Sequence, residues 1–209
     1  MNANSFLQAV DAARATLASP ELKACWDQAS ALPEYTVAGL AGHLVRGATT
    51  VLDYLAAPEL DGEPIDAAAY FAGIPPAPDV AAPQQLAIRQ RATDAASVGP
   101  DGLVQRLDAA RSELATVLTA LSPDRKVKVY ADHVMRLDDY LVTRMVELLV
   151  HTDDLAVSLG LMPMSPPRAA AAAVLPHLLA VARLRSGDLA VLRAFSRRER
   201  DDVEALRVF

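Results

Sequence analysis

Cysteine is almost missing from this chain. Cys25 stands alone among 209 residues, which excludes an intrachain disulfide framework and any CxxC redox pair. If thiol chemistry occurs here, the thiol arrives with a ligand. Lysine is nearly as scarce, Lys23, Lys126 and Lys128 being three of the 20 basic residues. Against 26 acidic residues, with a net charge of −6 and no long Lys/Arg block, there is no electrostatic footprint for nucleic acid. Only the stretch from Val181 to Phe209 is arginine-rich. No apolar run reaches the roughly 20 residues of a bilayer crossing. The longest, Ala169 to Ala182, is interrupted by Pro176 and His177, so no membrane segment is expected. The N-terminal stretch has neither a basic n-region nor a long apolar h-region, and a cytoplasmic location is the expectation.

What is present is helix. The length is enough to bury a substantial core, as one domain or one domain plus a small appendage. Phe6, Val10, Ala13 and Leu17 recur at helical spacing. Ser19-Pro20 can start a short second helix carrying Cys25 and Trp26. Thr36 can cap a third, through Leu40, Leu44, Val51 and Leu55, that stops at Pro58. From Pro58 to Pro83 the prolines, Asp61-Gly62 and Gly73 predict a long irregular connection with one short turn around Tyr70-Phe71. A loop of that length often covers a pocket. Helices are expected over about 84–96 and 103–121, an extended arm over Lys126–Tyr130, a long helix through residues 140–158, an Ala-rich helix after Pro167, and a last one through Phe195. Leu206 to Phe209 reads as a terminal strand.

The helix around residue 150 carries the chemistry. At about 100° per residue, Tyr140, Arg144, Glu147, His151, Asp154 and Ser158 fall in one narrow sector, and apolar residues cover most of the remainder. A carboxylate and an imidazole one turn apart point the same way and are two zinc-ligand types. The same stripe can equally be the solvent face of an amphipathic helix. On the Thr36 to Leu55 helix, His43 shares a small, polar sector with Gly39, Gly47 and Thr50. Those glycines can admit a ligand or let a second helix approach closely. Facing helices of a bundle can together supply His43, Glu147 and His151, leaving a coordination position open as catalytic zinc sites do.

The segments Tyr35-Thr36-Val37-Ala38-Gly39-Leu40-Ala41-Gly42-His43-Leu44 and Tyr140 to Ala156, with Trp26 upstream, resemble the two signatures of the mycothiol-dependent maleylpyruvate isomerase family within the DinB-like superfamily. The resemblance implies an all-α, DinB-like four-helix bundle. It also implies a divalent metal, usually zinc, held by His43, Glu147 and His151, with mycothiol as thiol cosubstrate. On this reading residues 1–160 form the metal-binding bundle and 161–209 a short C-terminal helical extension packed on it.

A metal-bound thiol is deprotonated near neutral pH. It can add to an electrophile reversibly, isomerising a double bond, or irreversibly, forming a conjugate. Asp154 is placed to orient a ligand imidazole or to bond within its own helix. Arg144 is placed to pair with Glu147 or to hold an anionic group of a ligand. Isomerases of this family carry a separate C-terminal domain with a catalytic arginine, whereas here the segment after Arg183 is short. Arg193, Arg197 or Arg198 is the available substitute, with Arg193 and Arg197 the expected cofactor-binding pair. A metal-dependent thiol S-transferase or isomerase-like enzyme acting on small molecules is therefore the expectation. A noncatalytic DinB-like binding or stress-response protein is the alternative. His133 and His177 are read as structural or exposed rather than as ligands, and Cys25 as core rather than nucleophile.

Overall fold

In the computed structural model, which describes residues 2–75, 79–196, 198–199 and 202–208, the first helical stripe is wholly internal. Phe6, Val10, Ala13 and Leu17 are buried along α1 (Ala3–Leu17). Pro20 opens the short α2 (Pro20–Cys25), where its missing N–H costs nothing. Thr36 caps α3 (Val37–Leu55), its hydroxyl accepting from the Gly39 amide at 3.1 Å, and so satisfies one of the free donors of a helix start. After the short α4 (Ala67–Ala72) come α5 (Pro83–Ala96), α6 (Gly99–Ala120), α7 (Leu137–Ser158), α8 (Arg168–Ser186) and α9 (Asp188–Ser196).

Four of these close a ring. α1 packs on α6 and α7, and α3 packs on the same two, which is a four-helix bundle. Its interior is aliphatic, with Leu40, Leu44, Leu103, Leu107, Leu114 and Leu148 at most 1% exposed. Each such side chain contributes about 1.5–3 kcal/mol through burial. α5 lies outside the ring against α3, and α8 lies against α1, α4 and α7. The α5 contact is close because residue 42 has no side chain: a Cβ on Gly42 would sit 2.1 Å from the Ala92 carbonyl oxygen.

The connection after α3 is more ordered than its proline content suggests. Asp66 caps α4 by accepting from the Ala69 amide at 2.7 Å. Ile65 bridges Met135 in a small hairpin, β1 (Lys126–Lys128) antiparallel to β2 (Val134–Arg136), with Val127 opposite Met135. β2 is unexpected from the sequence, because three residues give too little alternation to register as a strand. Arg185 of α8 donates to the backbone carbonyls of Phe71, Ile74 and Val208, tying α4 and the C-terminal segment to one guanidinium.

Three further expectations need correction. Pro176 does not break the Ala-rich segment, because α8 runs unbroken through it. Both Pro176 and Ala172, whose carbonyl the ring would block, are exposed, so water can take the lost hydrogen bond. The resulting 19-residue helix is long and apolar enough by length and composition to cross a membrane, and 22% of its apolar window is buried. Of the strand expected over Leu206 to Phe209, Leu206 closes a 3-10 turn (Val203–Leu206), Arg207 and Val208 form no strand, and Phe209 lies outside the described residues. α6 begins at Gly99, four residues before the expected start, with Pro100 accommodated in its first turn.

Candidate metal centre

α3 and α7 meet along a seam of small and polar residues. Gly47 makes the approach possible: a Cβ there would lie 3.3 Å from Leu148 Cδ2 and 4.0 Å from Glu147 Cβ. Of the two readings of the glycine-lined face, close helix approach is the one realised at residue 47. Beside that contact, one turn along α3, the helices bring His43, Glu147 and His151 together.

Glu147 Oε2 lies 3.4 Å from His43 Nε2 and 3.5 Å from His151 Nε2. One ligand atom from each of the three lies within 4.8 Å of the others. Both separations are long for an N–H···O bond. They suit the edges of a zinc tetrahedron, since metal–ligand bonds of about 2.0–2.1 Å place adjacent ligand atoms about 3.3–3.4 Å apart. The imidazole rings stand edge to face with centroids 4.8 Å apart. Side-chain exposures of 19% for His43, 28% for Glu147 and 16% for His151 leave the point reachable from solvent. The donor set of two imidazoles and one carboxylate fits zinc and leaves a position open.

The electrostatics keep the Glu147 carboxylate ionised and the His151 ring protonated, so that a metal binding there displaces a proton. Burial pushes the Glu147 carboxyl up, but His151, His43 and Arg144 outweigh it and hold it well below the usual carboxylate range. Burial pulls His151 down, yet Asp154 and Glu147 prevail and raise it to about 9. Asp154 Oδ2 is 3.0 Å from His151 Nδ1. His43 has no comparable partner among the described residues, its Nδ1 being buried without a hydrogen bond.

Arg144 closes no ion pair with Glu147 within 4.0 Å. Its guanidinium lies 5.3 Å from the Tyr140 ring centroid, and Nε donates to Thr143 Oγ1 at 3.2 Å. Burial opposes its charge, but Tyr140 and Glu147 support it and the pKa moves up. Tyr140 itself is raised to about 12, chiefly by burial and against the pull of Arg144.

The structure thus brings His43, Arg144, Glu147, His151 and Asp154 to one seam. Arg193 sits on α9, whose main packing partners are α8 and the 3-10 turn, and faces Asp202 at 3.9 Å. Arg197 lies outside the described residues. The sequence reading missed an aromatic wall. Tyr35 rests on His43 with centroids 5.7 Å apart, and Tyr54 stands edge-on to Tyr140 at 5.5 Å. Tyr70 of α4 is near enough for Arg144 and Glu147 to act on its phenol, which burial raises. Tyr54 was findable, since eleven residues beyond His43 is a return to the same helix face. Tyr70 was not, because only the tertiary path of the connection delivers it.

A family model described as the mycothiol maleylpyruvate isomerase N-terminal domain matches residues 6–156. That span includes every residue of the seam. Neither the curated proteins nor the solved structures give a match.

Proposed function

We propose, from the premise that this chain belongs to the mycothiol maleylpyruvate isomerase N-terminal domain family, that it is a metal-dependent thiol transferase or isomerase-like enzyme. The observation that carries the reading is the convergence of His43, Glu147 and His151, with one donor atom of each within 4.8 Å of the others. A divalent metal held there, with zinc the best match to the donors, supplies a Lewis acid that keeps a small thiol deprotonated near neutral pH. Mycothiol is the thiol that the family points to.

The side chains around the donors have separable tasks. Asp154 fixes the His151 tautomer, so that Nε2 is free to ligate while Nδ1 is held as a donor. Arg144, in no ion pair among the described residues and supported by the Tyr140 ring, orients an anionic group of the electrophile. Tyr35, Tyr54 and Tyr70 form walls that limit water around the reacting atoms. The partners are a small thiol and a small electrophile in the cytoplasm, with neither nucleic acid nor membrane involved.

The test is thiol consumption by zinc-loaded protein against a panel of electrophiles, with mycothiol as cosubstrate. The reading predicts turnover that needs both zinc and mycothiol and disappears in Glu147→Gln. Zinc-loaded protein that leaves every electrophile at the rate of free mycothiol plus zinc contradicts it.

A further inference from the structure

A second concavity lies on a neighbouring face of α7 and meets the metal seam at Asp154. It is a cavity of about 600 Å³ between α1, α7, α8 and the 161–166 segment, within the range of small-molecule sites. Its origin is sequence-level. Ala12, Ala15 and Ala171 stand where the helices face one another and are too small to fill the gap. Pro163, Pro166 and Pro167 keep the α7–α8 connection out of helix, so it arches over the opening as a rim.

The walls are apolar, built by Leu149, Val150, Leu161, Val174, Leu175 and Leu178. At the rim Met162 is 86% exposed and Met164 60%. Unbranched thioethers exposed to this degree adapt to varied apolar shapes. Thr152, Asp153 and Asp154 stand on one turn of α7, and Thr16 of α1 and Ser165 of the rim add two neutral hydroxyls. The Thr152 hydroxyl is buried without a hydrogen-bond partner among the described residues. Asp154 is engaged by His151, whereas Asp153 is exposed and has no ion pair among the described residues. Among the described residues no lysine, arginine or histidine lines the cavity. A carboxylate-bearing lipid would meet repulsion here, and a cation on an apolar tail would meet its complement.

We propose that this cavity is a binding site for a lipophilic amine, its tail between α1 and α8 and its ammonium at Asp153. The site is separate from the metal ligands themselves, since none of His43, Glu147 and His151 lines it, although it shares Asp154 with the seam.

The test is calorimetric titration of the full chain with decylamine, decanol and decanoate below their micellar concentrations. One decylamine per chain is expected, bound about five-fold more tightly than decanol, which is what an exposed ion pair is worth, with decanoate weaker than both. Asp153→Asn should bring decylamine and decanol level. Ala171→Trp should block all binding. Leu175→Asp, at a position already 62% exposed where folding tolerates charge, should block it as well. His43→Ala should bind decylamine as the parent does. Decanoate binding as tightly as decylamine overturns the proposal, as does binding that survives both Ala171→Trp and Leu175→Asp. So does a dimer in sedimentation that Leu175→Asp dissolves while decylamine gives no heat, since the occupant is then a second copy.

Discussion

Asp154 Oδ2 accepts from His151 Nδ1 at 3.0 Å, one turn along the same helix. A carboxylate only accepts, so Nδ1 carries the proton and Nε2, 3.5 Å from Glu147, is the nitrogen left for a metal. Removing an orienting partner of this kind costs about 10–100-fold in metal affinity. Asp154→Ala is therefore expected to weaken zinc binding by that factor in competition with a chromophoric chelator, yet still to reach the parental stoichiometry at saturating zinc. Unchanged affinity would remove Asp154 from the account.

The same contact gives a pH signature in metal-free protein. His151 rises from an ordinary 6.5 to about 9 in the folded chain, because Asp154 and Glu147 overcome the penalty of burial. A base whose folded pKa is raised contributes stability that is complete below its unfolded pKa and is lost as pH climbs through the folded one. Urea stability should thus fall between pH 6.5 and about 9, and His151→Ala should flatten that slope. A variant whose profile parallels the parent's over this window would contradict the assignment.

Two glycines on α3 make opposite predictions. A Cβ at residue 42 meets the Ala92 backbone carbonyl at 2.1 Å, so α5 must move, and Gly42→Ala should cost about 1–3 kcal/mol. At residue 47 the nearest atom is Leu148 Cδ2 at 3.3 Å, the end of a side chain that can shift. The helix propensity gained, about 1 kcal/mol for Ala over Gly, should leave Gly47→Ala close to neutral. Urea midpoints of the two variants check the contrast.

Much of this was legible in the sequence, for identifiable reasons. Periodicity put Glu147 and His151 on one helix face and His43 on a small, polar one, but it was the family resemblance that chose the metal reading over a solvent face and implied the four-helix bundle. Stripes such as Phe6, Val10, Ala13 and Leu17 gave the helices themselves. What failed were features set by neighbours rather than by local pattern. Pro176 passes as helix because its side of α8 is wet. β2 exists because Val127 and Met135 pair, and Ile65 joins them. Tyr70 reaches the seam only because the connection is pinned by Asp66, Asp139 and Arg185, whose contacts span up to 114 residues of sequence.

That pinning is testable. Arg185 donates to the carbonyls of Phe71, Ile74 and Val208, and Arg185→Met leaves them without this donor. A loss of about 1–3 kcal/mol is expected. Hydrogen exchange should quicken together in residues 67–74 and in the 203–208 segment, while the α3–α7 seam stays protected. Exchange that quickens in only one of the two segments would show that Arg185 does not couple them.

The measurement that tests the central claim most directly is metal stoichiometry on tag-free protein, by elemental analysis after zinc loading and desalting. His43→Ala, Glu147→Ala and His151→Ala are carried in parallel, with circular dichroism to show that each is folded. The account predicts about one zinc per parent chain and its loss in all three variants. A folded parent that retains no zinc, or variants that retain as much as the parent, would contradict it.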